Sequence, residues 1–227
     1  MIIIFLFLFS AVMQYSNRND VYPITVAGCS LDLCFVVDSS GSINYKGQNN
    51  WNIALQFVAN VTDAFNIGPN DVQVAFVLFS DVATVEWGLT RYRDKGSLIT
   101  AINSVRYIGE TTNLNDALML TWSRVFAAGR GVRTDSVKAA VILTDGEDNV
   151  PIEGTPLTLE NATRCRDAGI RLMAVGVSNM IDPDRLRSIV SSPSDSNFYE
   201  VIDFNSLQSI VQILTPQICI SEYKLTS

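Results

Sequence analysis

Residues 31–42 read LDLCFVVDSSGS: a near-continuous apolar run over 31–37 passes abruptly into Asp38-Ser39-Ser40-Gly41-Ser42. An apolar run of this length, without alternation, is what a strand buried on both faces requires. The switch to small polar residues marks the loop leaving its carboxyl end.

Outward from this strand the same alternation repeats. Trp51, Leu55, Val58, Val61 and Phe65 recur at helical spacing until Gly68-Pro69, and Val72–Phe79 is a second buried strand. Residues 84–87 form a short third strand. Leu98, Ile102 and Val105 mark one helix; Leu118, Trp122, Val125 and Phe126 mark another, closed by Gly129. Residues 139–143 are a fourth strand running into Thr144-Asp145-Gly146. Leu159, Ala162, Cys165 and Ala168 mark a helix stopped by Gly169, and 170–177 a fifth strand. Asp182-Pro183 opens a helix reaching Val190, with proline at its permitted first turn. Residues 198–202 are a sixth strand; Leu207, Ile210, Val211 and Leu214 are the final helical stripe. The pattern predicts an α/β fold: a doubly wound, mostly parallel six-stranded sheet with helices on both faces and one short antiparallel edge strand, the third. A single domain covers 29–219, after a leader over 1–18 and before a short polar tail, 220–227.

The composition narrows the chemistry. Of 227 residues 48% are hydrophobic, enough for a substantial core, and 16 basic against 23 acidic side chains leave a charge of −7. That sign speaks against a general nucleic-acid binder. The chain has no histidine, which removes Ser-His-Asp and Cys-His nucleophilic sites and imidazole-ligated zinc. The four cysteines contain no C-x-x-C pair, so a metal centre would have to use oxygen ligands, suited to magnesium, manganese or calcium.

Residues 1–13 (MIIIFLFLFSAVM) are apolar and uncharged, short for a bilayer span and apt for the core of a secretory signal. No later stretch is long and apolar enough to span a membrane. Secretion makes disulfides available. Cys29 lies just before the first strand and Cys219 just after the last helix, so a bridge between them would join the two ends of the domain. Cys34 and Cys165 are either buried thiols or a route to a disulfide-linked oligomer. Asn60-Val61-Thr62 and Asn161-Ala162-Thr163 are glycosylation sequons suited to the same compartment.

In open α/β sheets ligands sit beyond the carboxyl ends of the strands. Asp38, Ser40 and Ser42 leave strand one at alternate positions, Asp145 leaves strand four, and Thr112 lies in the polar loop 109–114. Together they make five oxygen donors with only two formal negative charges, a set for a hard cation that keeps water or an open position.

These motifs carry a resemblance over nearly the whole mature chain. Asp38-x-Ser40-x-Ser42, the spaced Thr112 and the Thr144-Asp145-Gly146 signature resemble the von Willebrand factor type A domain and its metal-ion-dependent adhesion site. The resemblance implies that Ser40, Ser42 and Thr112 contact a magnesium or manganese ion directly or through water. Asp38 and Asp145 then hold waters and neighbouring hydroxyls, and the ion takes its last ligand from an acidic residue of an extracellular partner, a matrix component or a receptor. In integrin inserted domains of this family the last helix slides to change affinity; a Cys29–Cys219 bridge predicts a largely fixed affinity here. Glu147-Asp148-Asn149 adds acids beside the site, read as a solvated turn. Two other functions stay open: metal-independent assembly of extracellular matrix, and hydrolysis. Against a haloacid-dehalogenase-like phosphatase, Ser40 stands where a second acid would be needed two residues after Asp38.

Overall fold

The computed structural model describes residues 28–45, 47–146, 154–178 and 181–219. The leader, the polar tail and Glu147-Asp148-Asn149 lie outside the described residues.

Strands β1 (Leu31–Asp38), β2 (Val72–Phe79), β3 (Ala83–Trp87), β4 (Val137–Thr144), β5 (Arg171–Val177) and β6 (Phe198–Val201) form one sheet in the order β3-β2-β1-β4-β5-β6. Every pairing is parallel except β2 with β3, which a tight turn at Ser80–Val82 makes antiparallel. The fold class read from the alternation is the one observed. All eight residues of β1 and of β2 are buried, as runs without polar alternation demand.

Helices α2 (Asn50–Asp63), α3 (Lys95–Ile102) and α7 (Leu207–Ile218) cover one face; there Phe35, Phe76 and Val141 meet Trp51, Val58, Leu98 and Leu214. Helices α4 (Leu114–Leu120), α5 (Gly154–Asp167) and α6 (Pro183–Ile189) cover the other, around Val36, Ala140 and Ile142. A four-residue helix, α1 (Ser42–Tyr45), follows β1 and has no hydrophobic stripe that would reveal it in sequence.

Local boundaries depart from the periodicity for identifiable reasons. The stripe from Leu118 to Phe126 predicts one helix, but α4 passes into a π-helical turn over Thr121–Val125. Thr121 Oγ1 donates to the Ala117 carbonyl at 2.8 Å and Ser123 Oγ to that of Met119 at 2.6 Å, hydroxyl back-bonds that compete with the helical ladder. Val105 packs in the core from beyond the end of α3, and Ile202, expected in the last strand, is 84% exposed just after β6.

Cys29 and Cys219 are disulfide-bonded across 190 residues of sequence, as their positions suggested. Cys34 and Cys165 are free and buried, so neither presents a sulfur for a disulfide-linked oligomer unless the core opens. Burial pushes both thiols up, Cys165 to about 12, so they remain protonated.

The amino end of β1 holds a buried ion pair. Asp32, fully buried, accepts from Arg133 N and Nε at 2.8 Å each and from Ser136 Oγ at 2.7 Å. The Arg133 guanidinium also reaches the carbonyls of Pro69, Leu31 and Asp71, tying the segments that feed β1, β2 and β4.

Candidate metal centre

From β1 the chain moves to β2 and β3 on one side, then returns to β4 on the other. The crevice between the carboxyl ends of β1 and β4 is therefore the point where strand order reverses, and such a point leaves room for a ligand. Asp38 ends β1, and Thr144 and Asp145 end β4.

Asp38 is wholly buried. Its Oδ1 accepts from the Ser40 N–H at 2.8 Å, curling the loop back on the strand, and its Oδ2 accepts from Thr144 Oγ1 at 2.6 Å. Ser40 Oγ lies 3.1 Å from Ser42 Oγ, and Ser42 Oγ donates to Asp145 Oδ1 at 2.7 Å. Ser40, Ser42 and Asp145 thus form a continuous chain of oxygens, with Asp38 anchored beneath it. Gly41 allows the curl: a Cβ there would meet the Gly109 carbonyl at 3.1 Å.

Thr112 comes from the facing loop. It is 3% exposed and lines a small cavity with Thr144 and Gly146. The two loops are fastened together by Gly41 N–H to the Glu110 carbonyl, Gly109 N–H to the Ser39 carbonyl and Ile108 N–H to Ser39 Oγ, all at 2.8 Å. Tyr107 Oη donates to the Ser40 carbonyl at 2.8 Å. Burial raises the Tyr107 pKa, and the negative fields of Asp145 and Asp38 add to it. Asn113 caps α4 by accepting from Asp116 N at 3.1 Å, fixing where this loop ends.

Four of the five predicted residues are joined through hydrogen bonds, and the fifth borders the same crevice. Sequence reasoning missed several supports. Ser80 leaves β2 and accepts from Glu110 N at 3.0 Å while donating to the Thr111 carbonyl at 2.9 Å. Ser178 leaves β5 and donates to the Asp145 carbonyl at 3.0 Å, with φ at 88°, an uncommon conformation for a residue with a Cβ. The rule applied to strands one and four finds both when applied to β2 and β5. Thr144 stands in the signature leaving strand four, though nothing there reveals its role as a brace; Tyr107 has no comparable signal.

The donor set suits a hard cation. Among the described residues no group of three or more Asp, Glu, Cys or His side chains could hold an ion. An ion here would rest on hydroxyls and two carboxylates, and the hydroxyl contacts within the Ser40–Ser42–Asp145 chain are ones a cation can replace without leaving a buried charge unmatched. Magnesium, manganese or calcium fit such oxygens better than a metal preferring sulfur or imidazole.

Both sequon asparagines are partly exposed and have both ends of the amide engaged. Asn60 on α2 is partly exposed, its amide bonded to Gln56 and Gln208. Asn161 uses both ends of its amide inside the protein, accepting from Trp122 Nε1 at 2.9 Å and donating to Asn115 Oδ1 at 2.8 Å. A glycan on either asparagine would have to compete with the donation from its Nδ2, to Gln208 for Asn60 and to Asn115 for Asn161.

Residues 32–213 match the family model described as von Willebrand factor type A domain. The chain is 35% identical over 188 residues to the collagen alpha-1(XII) chain of Notophthalmus viridescens, covering 83% of this chain and 19% of that one. It is 26% identical over 196 residues to matrilin-1 of Gallus gallus, covering 86% and 38% respectively. A solved structure of proximal thread matrix protein 1 from the mussel byssus, with a zinc-occupied MIDAS motif, superposes with TM-score 0.74 at 29% identity. That match covers 84% of this chain and 46% of the mussel protein. The chain thus spans less than half the length of each of these relatives.

Proposed function

The chain belongs to the von Willebrand factor type A domain family, and from that premise we propose that it is a secreted, non-enzymatic adhesion module. It binds an extracellular protein, a matrix component or a receptor, through a divalent cation held by Ser40, Ser42, Thr112, Asp38 and Asp145. Magnesium or manganese is favoured, with calcium a third choice. The observation that carries this reading is the run of oxygens from Ser40 through Ser42 to Asp145, set where strand order reverses and braced from below by Asp38.

When bound, the ion supplies an electrophilic point that accepts a carboxylate from the partner. The chain's own residues set how strongly it does so. Asp38 places its charge beneath the loop, with its oxygens occupied by Ser40 N–H and Thr144 Oγ1, so neutral hydroxyls carry much of the coordination. Fewer anionic ligands leave more positive charge for an outside acid. Collagen and matrilin relatives support an extracellular, matrix-associated setting and a non-enzyme at the level of the family. Among the described residues no helix is long and apolar enough to cross a membrane.

The test is a pull-down from extracellular matrix extract with the disulfide-intact domain, in magnesium, in manganese and in EDTA. Binding that is lost in EDTA and in Ser40→Ala and Asp38→Ala, with Mn²⁺ affinity lost in parallel by calorimetry, is the expected result. Equal capture in EDTA by a folded protein would replace this reading with metal-independent matrix assembly.

A further inference from the structure

We propose that the pole of the domain opposite the metal centre carries a binding surface for sulfated polysaccharide, formed by Arg91, Arg93 and Arg130. The chain is acidic overall, at −7, yet residues 88–95 and 127–133 hold Arg91, Arg93, Lys95, Arg130 and Arg133 against one acid, Asp94. Two of these cations are already engaged. Arg133 is paired with buried Asp32 at 2.8 Å, and Lys95 lies 3.4 Å from Asp63. Arg91, Arg93 and Arg130 are exposed. Asp94 is engaged in capping α3: it accepts from Ser97 N at 2.8 Å and Ser97 Oγ at 2.6 Å, and these bonds hold its pKa low.

The two loops are seated against each other. Gly131, at φ 94°, lies so close to Thr90 that a Cβ there would come within 2.4 Å of Thr90 Cγ2. This contact places Arg130 beside the loop that carries Arg91. The Arg91 guanidinium sits 5.5 Å from the Tyr92 ring centre, and Tyr92 is itself edge-on to Trp87 at 5.3 Å. Cation–π contact holds the charged group against the Tyr92 ring while Arg91 remains exposed. β3 runs antiparallel to β2 and leaves it at Trp87, opposite Phe76, heading toward the end of the sheet where β1 and β4 begin. Arg133, two residues beyond the Gly131–Thr90 contact, reaches the Pro69 and Leu31 carbonyls at that end, so this surface does not share residues with the metal centre.

Guanidinium forks match the paired oxygens of sulfate, and three of them spread over two loops suit a chain of repeated anionic groups. A protein partner would want an apolar centre to its interface. None of the exposed large hydrophobic side chains among the described residues lies on either loop, which favours a polysaccharide over an acidic protein segment.

Retention on immobilised heparin tests this, with desulfated heparin and polyglutamate as parallel matrices. The wild-type domain should bind heparin at about 0.15 M NaCl and release as salt rises. An Arg91→Ser/Arg93→Ser/Arg130→Ser variant should bind roughly tenfold or more weakly, and Arg130→Glu alone several-fold more weakly. Heparin retention should be the same in EDTA as in manganese, since the surface shares no residue with the metal centre. The proposal is overturned if wild type passes through the heparin column. It is equally overturned if the folded triple variant or Arg130→Glu binds unchanged, or if desulfated heparin or polyglutamate retains the domain as well as heparin does.

Discussion

Thr144 Oγ1 donates to Asp38 Oδ2 at 2.6 Å, a hydrogen bond between the last residues of two adjacent parallel strands, both almost wholly excluded from solvent. It closes the floor of the crevice from the β4 side, as the Ser40 N–H closes it from the β1 side. The carboxylate is thereby fixed in position before any ligand arrives.

Replacing Thr144 by Val keeps the shape and removes this donor to a buried carboxylate. The expected loss is about 1.5–3 kcal/mol in urea unfolding, the range for a hydrogen bond to a charged group, together with weaker Mn²⁺ binding by calorimetry. Thr144→Ser retains the hydroxyl and should remain close to wild type. A Val variant as stable as wild type would show that Asp38 finds another donor.

Arg133→Ala strands the Asp32 carboxylate in the core at the other end of β1. Because Asp32 is fully buried and the arginine side chain only 21% exposed, the expected cost is about 3–5 kcal/mol, far above that of a surface pair. Arg133→Met with Asp32→Asn removes both charges and should recover part of it. Urea midpoints for the single and double variants measure the difference.

Cutting the Cys29–Cys219 bridge by substituting both with Ser releases a loop of 190 residues, for which chain entropy gives about 5 kcal/mol. The same bond ties the end of α7 to the start of β1. If the bridge fixes affinity by restraining α7, the cut domain, at a temperature where it remains folded, should show altered affinity for its partner. Unchanged affinity measured by calorimetry would separate the restraint from the binding site.

The buried thiols set an alkaline limit. Burial raises both Cys34 and Cys165 above the ordinary value of 9.0, so the folded state holds their protons longer than the unfolded state does. Their contribution is fully present below about pH 9 and is lost as pH rises from there through the raised pKa, about 12 for Cys165. The fall should approach about 1.4 kcal/mol per pH unit for each thiol, and a Cys34→Ala/Cys165→Ala variant should lose that slope. Denaturation at pH 8, 9 and 10 measures it, and native thiols should resist alkylation at pH 8.

The sheet was legible because β1 and β2 carry their burial as unbroken apolar runs, and the loops were legible because Asp38 and Asp145 follow strands directly. The π-helical turn at Thr121–Val125 was not, since hydroxyl back-bonding to the helix leaves the apolar spacing unchanged. Tyr107 was equally silent: its bond to the Ser40 carbonyl spans 67 positions, and nothing in its neighbours distinguishes it from a core aromatic. Ser80 and Ser178 were readable by the strand-end rule and needed only its application to every strand.

The disulfide lies where β1 begins, roughly 26 Å, one eight-residue strand, from the mouth where Asp38 ends it. Tension applied to the polypeptide outside Cys29 and Cys219 would pass from one flank to the other through a covalent bond. The sheet between them would carry almost none of that load, so the crevice at the carboxyl ends of β1 and β4 would keep its shape while the two flanks were pulled apart.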